Sequence, residues 1–202
     1  PPRSTPLYSS AASDVYKRQL SINKDLPSKS ITCLAFDKDE KLWIGTTKGI
    51  ACILNNVIIK TYFTEQSASN IIRDVVVSSE YGVVFATDGG DIKFFKDTTF
   101  KEVSLRQVLP AGNLLKLAID EEGLIWIATT GGLIKMYKND FVKAVLNEKI
   151  NCPVFGMSYD NNNNLYLGST NGLYCVKSNE TKLFTVGKNP DDNMIISVFF
   201  SI

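Results

Sequence analysis

The sequence predicts an all-β chain assembled from consecutive four-stranded antiparallel units, and three observations predict it. A strand-and-turn pattern recurs as LWIGTTKGI from Leu42 to Ile50, LIWIATTGGL from Leu124 to Leu133 and LYLGSTNGL from Leu165 to Leu173, with a worn copy, VVFATDGGDI, from Val83 to Ile92. Two independent marks keep one period: Trp43, Val84, Trp126 and Tyr166 advance in steps of 41, 42 and 40 residues, and Gly49, Gly90, Gly132 and Gly172 keep the same steps. Each period also holds four short apolar, β-branched runs separated by turn signals. Four antiparallel strands repeated about every forty residues are the sequence form of a β-propeller blade.

The elements follow in order. ITCLAF, from Ile31 to Phe36, ends in the polar turn DKDE and is followed by strand KLWIGT. A Thr-Lys-Gly hairpin leads into GIACIL, and Asn55-Asn56 leads into VIIKTYF. The third unit repeats this with Leu115 to Ile119, Leu124 to Thr129, Leu133 to Tyr137 and Phe141 to Val145. The first two strands of a unit are apolar on both faces, as expected of strands packed between neighbouring blades, while the fourth alternates and should lie outermost. The recurring glycines fall where the second strand turns into the third, a hairpin expected to need positive φ or a bulge. Asp37, Asp120 and Asp160 end the first strand of three units, where a short carboxylate can hydrogen-bond the backbone two residues on.

Blades are therefore expected over about 30–69, 70–111, 112–150 and 151–192. The run MIISVFFSI from Met194 matches the first strand of another, because Val198 follows Met157 by 41 residues and Met157 follows Leu117 by 40. The expected fold is thus a partial β-propeller over 20–202: four complete blades plus the first strand of a fifth at 193–202, an arc of a larger, seven-bladed ring. Apolar outer faces of such an arc would favour self-association. The first nineteen residues, PPRSTPLYSSAASDVYKRQ, lack the apolar alternation and are set apart from the fold. They resemble translated sequencing-adapter sequence.

Composition excludes several classes of partner. With 44% hydrophobic and 21% charged residues and a formal net charge of +1, nothing points to nucleic acid. No apolar run approaches the roughly eighteen residues of a membrane helix, so no membrane contact is expected within this stretch. The chain has no histidine, which removes imidazole-based triads and metal sites. No catalytic residue, cofactor or metal is expected. Cys33 lies on a first strand and Cys52 on a third, about two strand spacings or roughly 9.5 Å apart. That is too far for a disulfide. Cys152 and Cys175 stand in the same relation, so all four are read as buried free thiols. The carboxylates Asp37, Asp39, Asp120, Glu121 and Glu122 read as turn residues rather than a calcium loop. Trp43, Trp126 and Tyr166 read as packing between blades.

LPSKSITCLAFDKDEKLWIGTTKGI, from Leu26 to Ile50, resembles the two-component regulator propeller repeat, whose members run Leu-Pro, a strand, Asp-x-x-Gly, then Leu-Trp-Ile-Gly-Thr and Gly-Leu. The second unit departs from the pattern, with Val84 for the aromatic and Ala86 for the glycine. The resemblance implies the sensor propeller of a hybrid histidine kinase and a periplasmic or extracellular location. Structural or protein-interaction propellers of secreted and cell-envelope proteins are the alternative. Streptogramin-type lyases share the architecture but depend on histidine.

A ligand, whether a small molecule, a glycan or a protein partner, is expected at the mouth of the central channel, where loops of successive blades converge. The residues that vary among otherwise similar turns there are Lys48, Asp88, Thr130 and Asn171. Arg73 and Lys116, charged residues near the start of innermost strands, complete the candidate ligand-binding set.

Overall fold

The computed structural model describes residues 25–62, 71–105, 113–120, 122–137, 140–143, 150, 152–177 and 180–199. The set-apart segment at 1–19 lies outside them. The described residues form four antiparallel sheets of four strands. Sheet one holds β1 (Ile31–Phe36), β2 (Leu42–Thr46), β3 (Gly49–Leu54) and β4 (Val57–Tyr62). Sheet two holds β5 (Ile72–Ser78), β6 (Gly82–Thr87), β7 (Asp91–Lys96) and β8 (Thr99–Ser104). Sheet three holds β9 (Leu114–Ile119), β10 (Ile125–Thr129), β11 (Gly132–Tyr137) and β12 (Asp140–Lys143). Sheet four holds β13 (Val154–Tyr159), β14 (Leu165–Ser169), β15 (Gly172–Lys177) and β16 (Glu180–Phe184). Strand order within every sheet follows chain order, and the first strands pack in series, β1 on β5, β5 on β9 and β9 on β13. This is the architecture of propeller blades set around an axis.

The apolar repeat builds the seams between blades. Trp43, Ile50 and Cys52 meet Ile72, Val75 and Phe85 at the first seam. Val84, Ile92 and Phe94 meet Leu117, Ile125 and Met136 at the second, and Ala128 and Leu133 meet Val154, Leu165 and Leu167 at the third. Each fully buried side chain of this size contributes about 1.5–3 kcal/mol. The most continuously buried strands are the second and third, as β2, β3, β6 and β7 show, rather than the first and second. The reason is topological: the first strand borders the axis, while the middle strands have sheet on both sides. The fourth strands are the exposed ones, as expected.

The glycine of the WIGT pattern has a packing role. A Cβ on Gly45 would lie 2.3 Å from Cys33 Sγ and 2.8 Å from Ile72 Cγ2, and one on Gly168 would lie 2.8 Å from Ile195 Cγ2. Both glycines let the next first strand close onto the blade. Ile195, Ser197 and Val198 thus pack on blade four where a following first strand belongs, and Ile195 N donates to Ser169 O at 2.8 Å. They carry no strand assignment, since no second strand pairs with them.

Gly49, Gly132 and Gly172 open the third strands at φ 140°, 126° and 132°. Gly90 keeps the numerical beat but sits one residue earlier, in the turn at φ 82°, because blade two carries one extra residue and Asp91 opens β7.

Candidate functional site

In every sheet the start of the first strand pairs with the end of the second: Ile31 with Thr46, Ile72 with Thr87, Leu114 with Thr129, Val154 with Ser169. The hairpins between second and third strands therefore share one end of the blades with the first-strand starts. All six candidate residues lie at this end. Each hairpin is closed by a buried hydroxyl: Thr46 Oγ1 donates to Gly49 O at 2.8 Å, Thr87 Oγ1 to Asp91 O at 3.2 Å, Thr129 Oγ1 to Gly132 O at 3.0 Å and Ser169 Oγ to Gly172 O at 2.9 Å. The hydroxyl also accepts an N–H, from Lys48, Asp91, Gly131 and Asn171 respectively.

Each first strand begins with a β-bulge. The register slips between Ile31 and Cys33, Ile72 and Asp74, and Val154 and Gly156, and opposite Ala128 and Thr129 in blade three. The extra residues are Thr32, Arg73, Leu115 and Phe155. A bulge re-aims its side chain and twists the strand, which sets Arg73 apart from the ladder on either side of it.

Arg73 is not an unaccompanied cation. Its Nε donates to Asp88 Oδ1 at 2.6 Å, and Nη2 contacts the same oxygen. Lys116 is likewise paired: its Nζ donates to Asp74 Oδ1 at 3.2 Å, joining β9 to β5 across the blade boundary, while Leu117 N donates to Asp74 Oδ2 at 2.8 Å. Asp74 is a buried carboxylate on an otherwise apolar strand. Burial pushes its pKa up, against the pull of Lys116 and the Leu117 amide.

The structure thus brings Arg73 and Asp88 together, and Lys116 with Asp74. Thr130 is tied into its own blade, its Oγ1 accepting Asn113 N at 3.1 Å. Lys48 and Asn171 stand exposed in the matching hairpins of blades one and four. Sequence reasoning missed Asp74. Its signal was a carboxylate inside IIRDVVV, a run in which every other interior residue after Arg73 is β-branched and apolar.

Among the described residues no helix is long and apolar enough to cross a membrane, and no group of three or more potential metal ligands occurs. The four cysteines are free thiols. Cys33 pairs across the ladder with Gly45 and Cys52 with Trp43, so a full strand separates them. Cys175 is half-buried rather than buried, because it lies on β15 beside Tyr166 instead of inside a seam.

Residues 25–48 match the family described as two component regulator propeller. No curated protein sequence matches the chain. Solved structures match its fold. The extracellular domain of a hybrid two component system, BT4673, from B. thetaiotaomicron is 18% identical with a TM-score of 0.66, over 84% of this chain and 24% of that one. That of BT3049 from the same organism is 24% identical with a TM-score of 0.61, over 72% of this chain and 21% of that one. A virginiamycin B lyase from Staphylococcus aureus is 16% identical with a TM-score of 0.65, over 80% of this chain and 57% of that one. The described residues form β-propeller blades, and the stretch that matches the two component regulator propeller family falls on the first of them. The chain spans about a quarter of the length of the extracellular domains it matches.

Proposed function

We propose that this chain is part of a non-catalytic, ligand-sensing propeller in a bacterial signalling receptor of the hybrid histidine kinase kind, working in the periplasm or outside the cell. The observation that carries this reading is the pair of ion pairs at the channel end, Arg73 with Asp88 and Lys116 with Asp74. A guanidinium carries five N–H donors, and Asp88 engages the Nε and Nη2 groups. Arg73 thus keeps donors for a ligand's hydroxyl or carboxylate oxygens, and its side chain is 40% exposed. The Lys116–Asp74 bond links neighbouring first strands, so a ligand that redirects Lys116 would bear on the contact between blades. The repeat match over 25–48 and the extracellular domains of similar fold support the receptor context. The absence of histidine weighs against a lyase-like reading.

The test is thermal melting of the chain against a panel of oligosaccharides and small organic acids. A ligand of the channel end raises Tm, and the shift disappears in Arg73→Ala and in Lys116→Ala paired with Asp74→Asn, which avoids leaving a buried carboxylate unpaired. A shift that survives both variants, or no shift from any compound, overturns the reading. The second reading, a protein-interaction propeller of a cell-envelope protein, is favoured by one observation. Leu34 and Phe36 on β1 expose 58% and 69% of their surface.

A further inference from the structure

A cavity of about 480 Å³ lies between blades one and two, at the end of the blades opposite to Arg73 and Lys116. Its origin can be read by comparing the three seams. The residue paired with the strand-core aromatic position is Cys52 in blade one, Phe94 in blade two and Lys135 in blade three. The facing residue near the end of the next first strand is Val77, Ile119 and Tyr159 at the same three seams. Seam two is filled by Phe94 with Ile119 and Tyr81, and seam three by Trp126 with Tyr159 and the Lys135 ammonium 5.7 Å from the Trp126 ring centre. Seam one combines the two small residues, Cys52 and Val77, and stays open.

The walls of this opening are chemically specific. Trp43, Tyr62 and Phe95 form a continuous aromatic surface, with ring centres 6.4 Å apart for Trp43–Tyr62, 5.4 Å for Trp43–Phe95 and 5.0 Å for Tyr62–Phe95. Trp43 and Tyr62 lie near parallel, at 17°. The Lys60 ammonium stands over this surface, 4.7 Å from the Tyr62 ring centre and 5.1 Å from that of Phe95. Of the other lining cations, Lys38 is exposed in the turn after β1, Lys41 is paired with Asp39, and Lys96 donates to the carbonyl of Glu80; of the lining carboxylates, Asp37 is taken up by Trp43 and its own turn, Asp39 by Lys41, and Asp97 stands exposed at the rim. Among the described residues Lys60 has no carboxylate within ion-pair distance. The Tyr62 hydroxyl oxygen is buried, with the Lys60 side chain as its polar neighbour. Burial also raises the Tyr62 pKa, so the phenol stays protonated and able to donate at neutral pH.

We infer that this inter-blade cleft is a binding site for a small planar aromatic carboxylate, whose ring lies against Tyr62 and Phe95, backed by Trp43, and whose carboxylate accepts from Lys60 Nζ and Tyr62 Oη. The volume falls within the 300–1,000 Å³ typical of small-molecule sites. An anion satisfies both polar groups at once: the ammonium gains a counter-charge and the phenol an acceptor. A neutral or cationic ring would leave one of them unmatched. The site lies at the other end of the blades from the proposed sensing residues, so its failure and theirs are distinguishable.

The probe is naphthalene-2-carboxylate, titrated into the chain by calorimetry alongside its neutral counterpart 2-naphthamide. The carboxylate binds saturably at one site, and the amide binds roughly tenfold more weakly, the effect of one charge-assisted hydrogen bond. Lys60→Met removes that difference, bringing carboxylate binding down to the level of the amide. Val77→Tyr, which brings the third seam's residue into the first, abolishes binding of both with the circular dichroism spectrum retained; if that variant does not fold, Cys52→Phe closes the cleft in the manner of seam two. Equal affinity for acid and amide, unchanged binding in the filled variant, or no saturable binding each overturns the inference.

Discussion

The indole N–H of Trp43 donates to Asp37 Oδ2 at 2.9 Å, while Oδ1 of the same carboxylate accepts the backbone N–H groups of Asp39 and Lys41 at 2.9 and 3.0 Å. One carboxylate thus closes the turn and fixes the ring that packs the seam. The arrangement recurs six residues apart in blade three, where Trp126 donates to Asp120 at 3.2 Å. In blade four Asn164 donates to Asp160 and Tyr166 also approaches it. Blade two lost both partners together: Ser78 stands for the aspartate and Val84 for the aromatic, and Ser78 Oγ keeps only the turn bonds, from Glu80 N and Tyr81 N.

Asp37→Ala should therefore cost about 2–3 kcal/mol, as it removes hydrogen bonds to a charged acceptor and orphans the Trp43 N–H. Replacing both residues by the blade-two pair, Asp37→Ser with Trp43→Val, should cost less than the sum of the single changes, by about 1 kcal/mol of coupling. Urea denaturation of the four proteins in the cycle measures this, and strict additivity would show that the bond does not link turn and seam.

Gly172→Ala should destabilise more than Gly90→Ala. At Gly172 φ is +132°, far outside the left-handed region near +60° that other residues can enter, and a Cβ would meet the carbonyl oxygen of Phe184, whereas Gly90 sits closer to that region at φ 82°. Positive-φ strain costs about 1–3 kcal/mol, and at Gly172 the backbone clash adds to it. Comparison of melting temperatures decides the ranking.

Asp74 gives the stability a pH dependence of definite sign. Its folded pKa lies above the ordinary value of 3.8, chiefly through burial, so the folded chain holds this proton more tightly than the unfolded one. That contribution is fully present below pH 3.8 and is lost as pH rises through the folded pKa. Asp74→Asn should flatten this component of the stability curve, read by urea denaturation across the acid range. An unchanged slope would place the titration elsewhere.

Thiol titration checks the cysteines. All four should react under denaturant without reductant, because none is bridged. In the native chain Cys33 and Cys52 should react slowly, since burial pushes both thiols up to about 11. Half-buried Cys175 should react first. Fewer than four reactive thiols under denaturant would contradict the strand assignment.

The exposed face of β1 should drive self-association. Ile31, Leu34 and Phe36 expose 50%, 58% and 69% of their surface on one strand. Leu34→Lys with Phe36→Glu should shift the chain toward monomer in light scattering, and an unchanged mass distribution would remove this face from consideration.

The blade architecture was legible because its determinants are local and repeated. A period marked by Trp43, Trp126 and Tyr166, turns opened by aspartate and hairpins entered through glycine need only neighbours within about ten residues to act. Even the loss of pattern in blade two was visible as Val84. Tertiary packing decided the rest, because it depends on residues some forty positions apart. Nothing within IIRDVVV says that Asp74 meets Lys116 of the next blade, that a bulge turns Arg73 toward Asp88, or that Gly45 makes room for Ile72. The open cleft at the first seam follows the same rule. It exists because Cys52 of one blade faces Val77 of the next, and only the docking of two sheets places those two small side chains opposite each other.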